Sequence, residues 1–423
     1  MSKFLYGIDF GTTNSALSIF DEEKNQIIET IIVPSILYFG SEQSAAEPLK
    51  YVVGEEAIAA YLADGMKGRF MKSIKRILPR SSFIETRIHH KRLNASDLVT
   101  LILKELKTKA DLITGIDCQK AVIGRPVFFD DDNTTKDALA QKRLTKAAEN
   151  AGFNEVRFQF EPIGAAFAYE KTISKKEKVL VADLGGGTTD FTYLELDPAK
   201  IGSKDRKKDI IATGGIYIGG DSFDSAFMWE KGTPYFGKHT MYEAAPGKML
   251  KVPVSLFSNI CSWEQMNFFN GLKVKNDIQT YYHYSKQDKT FKNLITLIDN
   301  NLGYSIFQTI EQTKIELSKQ STSKFNYSEM EIEIDEAISI EQYETVIDKD
   351  IRKISQYLDA FLLQHQIKPE EINSLFLTGG TSMVLAVKNL FKVRFPDTPM
   401  HTGDNFMSVA KGLAYSGYLF NEE

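Results

Sequence analysis

Two short stretches carry residue types that could do chemistry. In GIDFGTTNS (7–15) an apolar run stops at Asp9 and gives way to Gly11, Thr12, Thr13 and Asn14. In VLVADLGGGTTDF (179–191) another stops at Asp183 and gives way to Gly185, Gly186, Gly187 and Thr188. A strand that only fills a core has no use for so many exposed backbone amides at its end. Glycines let N–H groups approach an anion with no Cβ in the way, and threonine hydroxyls add donors. An aspartate beside an anion is repulsive unless a cation or water lies between them. The combination points to phosphate with Mg²⁺, which keeps its waters and is held by a few carboxylates. Taken singly, either stretch reads as well as a plain tight turn. The pair, with the further turns Gly219-Gly220 and Gly379-Gly380, favours a polyphosphate clamped from two sides. Neither GxxxxGK[ST] nor GxGxxG occurs, so a nucleotide held between two lobes is the expectation.

Both stretches share one grammar of strand, Gly/Thr turn and returning strand, which reads as an internal duplication of one hairpin in two homologous halves. Around them, 95–114 has helical spacing and AVIGRPVFF (121–129) reads as a strand. A helix over 136–151, a strand at 156–160 and a helix over 162–170 with Pro162 at its start follow. MEIEIDEAISI (330–340) alternates like a strand and leads into a long helix. Ser339 and Gln342 form its capping box, and Val346, Ile347, Ile351, Ile354, Leu358, Phe361 and Leu362 its apolar stripe. Residues 374–391 read as strand, Gly-Gly turn and helix. Alternating strands and helices predict an α/β fold. The span 229–305, with Trp229 and Trp263, reads as a distinct subdomain, and SKQSTSK (318–324) as a short low-complexity patch.

The 423 residues are enough for two to four compact units. With 51 basic against 56 acidic side chains and no basic block, nucleic acid is not the expected partner. Two cysteines, Cys118 and Cys261, sit in no metal or disulfide pattern, and no apolar run is long enough for a membrane span. A cytoplasmic protein is expected. His89-His90 reads as surface, and Asp130, Asp131 and Asp132 as residues favouring the coming helix N-terminus rather than a calcium loop.

GIDFGTTNS, EPIGAAFAY (161–169), VADLGGGTTDF, IGGDSFD (218–224), EQTKIELS (311–318) and LTGGTS (377–382) together resemble the ATPase domain of the seventy-kilodalton heat-shock protein family, in the actin/hexokinase superfamily. FGKHT (236–240) and GDNFMSVAKGLA (403–414) look most like the YegD-like branch, which consists of an ATPase domain alone. The resemblance implies an actin-like ATPase fold, two duplicated ribonuclease-H-like lobes around a central nucleotide cleft. Lobe I would span 1–168 with a C-terminal helix at 404–423 packing back on it, and lobe II 169–403. It further implies ATP/ADP and Mg²⁺ as ligands, with K⁺ as a further ion.

Roles carried over residue by residue make Asp9, Asp183 and Asp190 metal-side carboxylates, Asp190 also a potassium contact. Gly11, Thr12, Thr13, Asn14, Gly185, Gly186 and Gly187 become phosphate contacts. Lys75 would reach the γ-phosphate, and Glu161, Asp183 and Thr188 would position the water or metal shell. Gly219, Gly220, Gly379, Gly380 and Thr381 would face adenosine and phosphate, while Glu311, Lys314 and Ser318 would meet ribose and base. The family sandwiches adenine between two arginines; Ile315 and Met383 stand at those positions here, so weaker adenine selectivity is expected. After YSGYLFNEE the sequence shows no acidic-leucine linker and no β-rich segment, so no peptide-binding domain of its own is expected. The expected function is slow Mg-ATP hydrolysis coupled to lobe movement and read by a co-chaperone or separate substrate-binding protein, with the chain a monomer or weak oligomer. Alternatives are a nucleotide-sensing interaction protein, a small-molecule kinase and an actin-like filament.

Overall fold

The computed structural model describes residues 3–44, 47–129, 133–201, 203, 206–262, 265, 266, 269, 271–402 and 407–420. Asp130, Asp131, Asp132, Trp263 and the first four residues of 403–414 lie outside them.

Two five-stranded sheets repeat one another. The first contains β1 (Phe4–Asp9), β2 (Asn14–Asp21), β3 (Gln26–Pro34), β4 (Lys120–Arg125) and β5 (Glu155–Phe160), in spatial order β5-β4-β1-β2-β3. β1 to β3 form an antiparallel meander, and β4 and β5 add on in parallel. The second contains β6 (Glu177–Leu184), β7 (Thr189–Leu196), β8 (Ile210–Ile216), β9 (Ser374–Thr378) and β10 (Met400–Thr402), in order β8-β7-β6-β9-β10 with the same directions. Duplication of the hairpin is therefore duplication of a whole sheet.

Parallel strands need crossovers, and the helices supply them at matching places. The first half has α1 (Ala95–Thr114), α2 (Thr134–Asn150) and α3 (Glu161–Glu170); the second has α4 (Ile340–Gln364), α5 (Leu385–Arg394) and α6 (Ser408–Ala414). α1 begins with a capping box in which Asn94 accepts the Asp97 N–H and Asp97 accepts the Asn94 N–H. The box foreseen for α4 is present: the Ser339 N–H donates to Gln342 at 2.9 Å and the Gln342 N–H to Ser339 at 3.3 Å.

One buried cluster packs Ile8, Phe10 and Leu17 against Leu98, Ile102 and Leu106 of α1. A second joins Val122, Ile163, Val181, Leu194, Val409 and Leu413, and so ties both sheets together through α3 and α6. Where α3 and α6 cross, the backbones touch. A Cβ at Gly412 would stand 1.9 Å from the Gly164 carbonyl oxygen, and one at Gly7 would stand 2.2 Å from the Ala414 nitrogen.

Two expectations need correction. The strand foreseen over 121–129 ends at Arg125, because Pro126 has no N–H to continue the ladder. The polar patch 318–324 runs into a strand, Thr322–Glu329, which pairs with Ile332–Ser339 and buries Phe325 and Tyr327 on one face.

Contacts group the chain into two compact units. Met1–Tyr217, Tyr357–Ser382 and Phe391–Glu423 form one; Ile218–Gln356 and Met383–Leu390 form the other. Both sheets belong to the first. The second holds the hairpin just described, helix Gly220–Phe227 and helix Gly303–Leu317. Within 229–305 it also has a small hairpin, Met241–Ala245 with Lys248–Lys251, and helices Val254–Ile260, Leu272–Tyr284 and Lys289–Asp299.

Candidate functional site

β1 and β2 meet at a tip formed by residues 10–13. A Cβ at Gly11 would lie 2.0 Å from the Asn14 carbonyl oxygen, so this turn admits only glycine at that point. Buried Ser35 braces it: its hydroxyl donates to the Gly11 carbonyl at 2.8 Å and its N–H to the Thr13 carbonyl at 2.8 Å. Thr12, Thr13 and Asn14 follow directly.

The second tip, between β6 and β7, is closed by the Gly185 N–H donating to the Thr188 carbonyl at 3.0 Å. Its brace is Thr381, whose hydroxyl donates to the Gly185 carbonyl at 2.8 Å. Thr188 donates its hydroxyl to Asp190 at 2.8 Å, and Asp190 stands directly opposite Asp183 in the β6–β7 ladder. Gly379 has φ +80°, and a Cβ there would meet the Leu184 carbonyl oxygen at 2.3 Å and an Asp183 carboxylate oxygen at 3.0 Å. Gly380 and Thr381 open the short turn Gly380–Met383.

Lys75 belongs to a one-turn helix, Ile74–Ile77, entered through Ser73 in the left-handed region (φ 57°) and anchored by buried Ile74 and Leu78. Its ammonium donates to Glu161 at 2.7 Å, both side chains being largely buried. Glu161 opens α3 as its first residue. Gly124 makes room for it, since a Cβ there would stand 3.0 Å from the Glu161 Cγ.

Lys75, Glu161, Asp9 and Asp183 act as one electrostatic group. Burial, then the Glu161 charge, pushes the Asp9 carboxyl up to about 8, with Lys75 pulling the other way. The same two causes raise Asp183 to about 6. Burial works against the Lys75 charge, yet Glu161, Asp9 and Asp183 together hold its pKa above the ordinary lysine value. Such a group favours an added cation, because the carboxylates lack enough positive charge. Among the described residues no three His, Cys, Asp or Glu side chains form a metal cage of their own. That donor set suits Mg²⁺ held through water by one or two carboxylates rather than a dehydrated metal.

The expected base-side residues lie in the second unit. Gly219 caps helix Gly220–Phe227, and Glu311, Lys314 and Ile315 lie on helix Gly303–Leu317, with Ser318 at its end. Lys314 forms a buried pair with Asp224 at 2.8 Å. Burial raises Asp224 to about 6 against the pull of Lys314. The Ser318 hydroxyl donates back to the Lys314 carbonyl at 3.0 Å, and Ile315 is 41% exposed. Met383 ends the turn begun by Gly380.

Three features escape sequence reasoning. Asp224 is one; its signal is an acidic residue four positions after Gly220. Gly124 is another, readable as a glycine inside a strand. The third is Arg76: a Cβ at Gly187 would stand 1.9 Å from its Nη2, so the third glycine of the tip leaves room for a guanidinium.

Paired sheets of this topology, each with an aspartate at the end of its first strand, define an actin-like ATPase fold. The family model described as Hsp70 protein matches residues 5–232 and 275–422, and the chain belongs to the Hsp70 family. The unmatched span between them falls within the stretch expected to be a distinct subdomain. Similar curated proteins include Chaperone protein DnaK of Thermosipho melanesiensis, 26% identical over all of this chain and 60% of that protein. Chaperone protein DnaK of Thermotoga petrophila is 34% identical over 53% of this chain and 35% of its own length. The chain thus spans at most about 60% of the length of these relatives.

Proposed function

We propose that the chain binds ATP with Mg²⁺, hydrolyses it slowly by attack of water on the γ-phosphate, and presents its nucleotide state to a partner. The observation that carries this reading is the Lys75–Glu161 pair set among Asp9 and Asp183. Phosphoryl transfer needs positioning and charge neutralisation more than covalent chemistry. Lys75 supplies a cation, Glu161 and Asp183 can order a water, and the two tips offer backbone amides to phosphate oxygens. Mg²⁺ would be held on the Asp9 and Asp183 side and would neutralise phosphate charge. The Thr188 hydroxyl, held by Asp190, fixes the end of the second tip. A co-chaperone or a separate substrate-binding protein is the partner class, and the cytoplasm the compartment, that fit this reading.

The test is single-turnover hydrolysis of Mg-ATP with no acceptor added, beside Lys75→Ala and Asp183→Ala. Slow phosphate release that falls by about 100-fold or more in both variants is expected. Tight nucleotide binding without hydrolysis would replace the ATPase with a nucleotide sensor. Release that needs an added hydroxyl acceptor would replace it with a kinase.

On the base side, Ile315 and Met383 offer dispersion where an arginine pair would add cation–π attraction of about 0.5–2 kcal/mol. Ile315→Arg should therefore tighten ATP relative to GTP. An unchanged ATP-to-GTP affinity ratio would remove Ile315 from the base contact.

A further inference from the structure

Lys75 and Arg76 are consecutive on the anchored turn Ile74–Ile77, and the structure sends them to different parts of one site. Lys75 reaches Glu161. The Arg76 guanidinium lies against the second tip: a Cβ built on Gly187 would stand 1.9 Å from Nη2, 2.5 Å from Nε and 2.6 Å from Cζ. The guanidinium, at the far end of a flexible side chain, stands where a side chain at 187 would have to go. Any larger residue at 187 would displace it.

Charge gives this placement a meaning. Asp9, Glu161 and Asp183 face one ammonium, Lys75, so the group carries more negative than positive charge when ionised. One divalent cation would bring it near neutrality and leave little to hold a further phosphate dianion. A planar guanidinium is suited to phosphate oxygens through its fixed fork of donors.

We propose that Arg76 is a second cationic contact to the terminal phosphate, and that it makes the site prefer a nucleoside triphosphate over a diphosphate. This rests on the ATP-binding reading above. Gly187 then serves as the seat of that guanidinium, while Gly185 and Gly186 shape the tip itself.

The test compares Mg-ATP and Mg-ADP affinities of the purified chain, by calorimetry, for the unaltered protein, Arg76→Gln, Arg76→Lys and Gly187→Ala. Arg76→Gln should weaken Mg-ATP about 10-fold or more while changing Mg-ADP less than about 3-fold, with Arg76→Lys between. Gly187→Ala should reproduce the loss by displacing the guanidinium. Equal weakening of ATP and ADP, or no change in either, would overturn the proposal and make Arg76 a packing residue. An unaltered protein that binds neither nucleotide would instead overturn the ATP-binding reading, and this proposal with it. Thermal melting in ADP separates an unfolded variant from a folded one that has lost preference.

Discussion

In the first hairpin a Cβ at Gly11 would meet a backbone oxygen three residues on, whereas in the second a Cβ at Gly187 would meet a side chain from another part of the chain. The two sheets agree strand for strand, and each tip is braced by a hydroxyl, Ser35 in one and Thr381 in the other. The halves part company beyond the tips. β2 and β3 are joined by a short turn that Asp21 caps by accepting the Glu23 and Lys24 N–H groups. β7 and β8 are joined by residues 197–209. That connection is pinned from within by Arg206, only 2% exposed, which pairs with Glu170 at 2.6 and 2.9 Å and also binds Asp209. Duplicated backbones keep their ladders because pairing and burial constrain every residue. Tips and connections, free of that constraint, have diverged to hold different chemistry.

Breaking the largest difference comes first. Arg206→Ala leaves Glu170 buried without its cation and Asp209 with Lys200 alone, and should lower stability by about 3–5 kcal/mol in denaturant unfolding. Arg206→Met should cost less, because it keeps the apolar packing of the arginine stem while Asp209 retains Lys200 in either variant. A loss under 1 kcal/mol for the alanine variant would mean that the connection is not an anchored part of the second half.

The shared feature is tested by Gly412→Ala, which forces α3 and α6 apart at their crossing. A loss of about 3 kcal/mol is expected, against less than about 0.5 for Gly40→Ala, where a Cβ meets nothing within 4 Å. Similar losses in both variants would deny the crossing its role.

The third test concerns the two strand-end aspartates. Asp9 is raised to about 8 and Asp183 to about 6, so the folded protein binds protons more tightly than the unfolded chain between pH 4 and 8. Stability of the nucleotide-free protein should therefore fall as pH rises through that window. Asp9→Asn should remove the upper part of the slope and stabilise the protein at pH 8 by on the order of 1–2 kcal/mol. Melting temperatures across pH 5 to 8 measure this; an unchanged slope in the variant would show that Asp9 ionises without penalty.

Much of this was legible in the sequence, for identifiable reasons. Strands buried on both faces, such as Phe4–Asp9 and Glu177–Leu184, read as apolar runs, and their breaks at Asp-x-Gly exposed the repeat. The α4 box and stripe were legible because cap and periodicity agree. The strand Thr322–Glu329 hid because its outward positions are polar and its inward ones include Ser323. The role of Lys75 follows from the family resemblance alone, since nothing in KSIKRIL (72–78) marks it, and Arg76 beside it is silent for the same reason. Gly164 and Gly412 were silent because a glycine within a helix signals weakness to a propensity scale, whereas here it answers a neighbour's backbone.

That crossing has a mechanical consequence. Most helix pairs interlock through side chains, so turning one against the other must drive rotamers over barriers. α3 and α6 meet backbone to backbone at Gly164 and Gly412, while Ile163, Val409 and Leu413 interlock around that point, which makes the contact a clamp. α3 carries Glu161 at its first residue and Glu170 at its last. The carboxylate that holds Lys75 and the one that holds Arg206 thus sit at the two ends of one rod clamped between them.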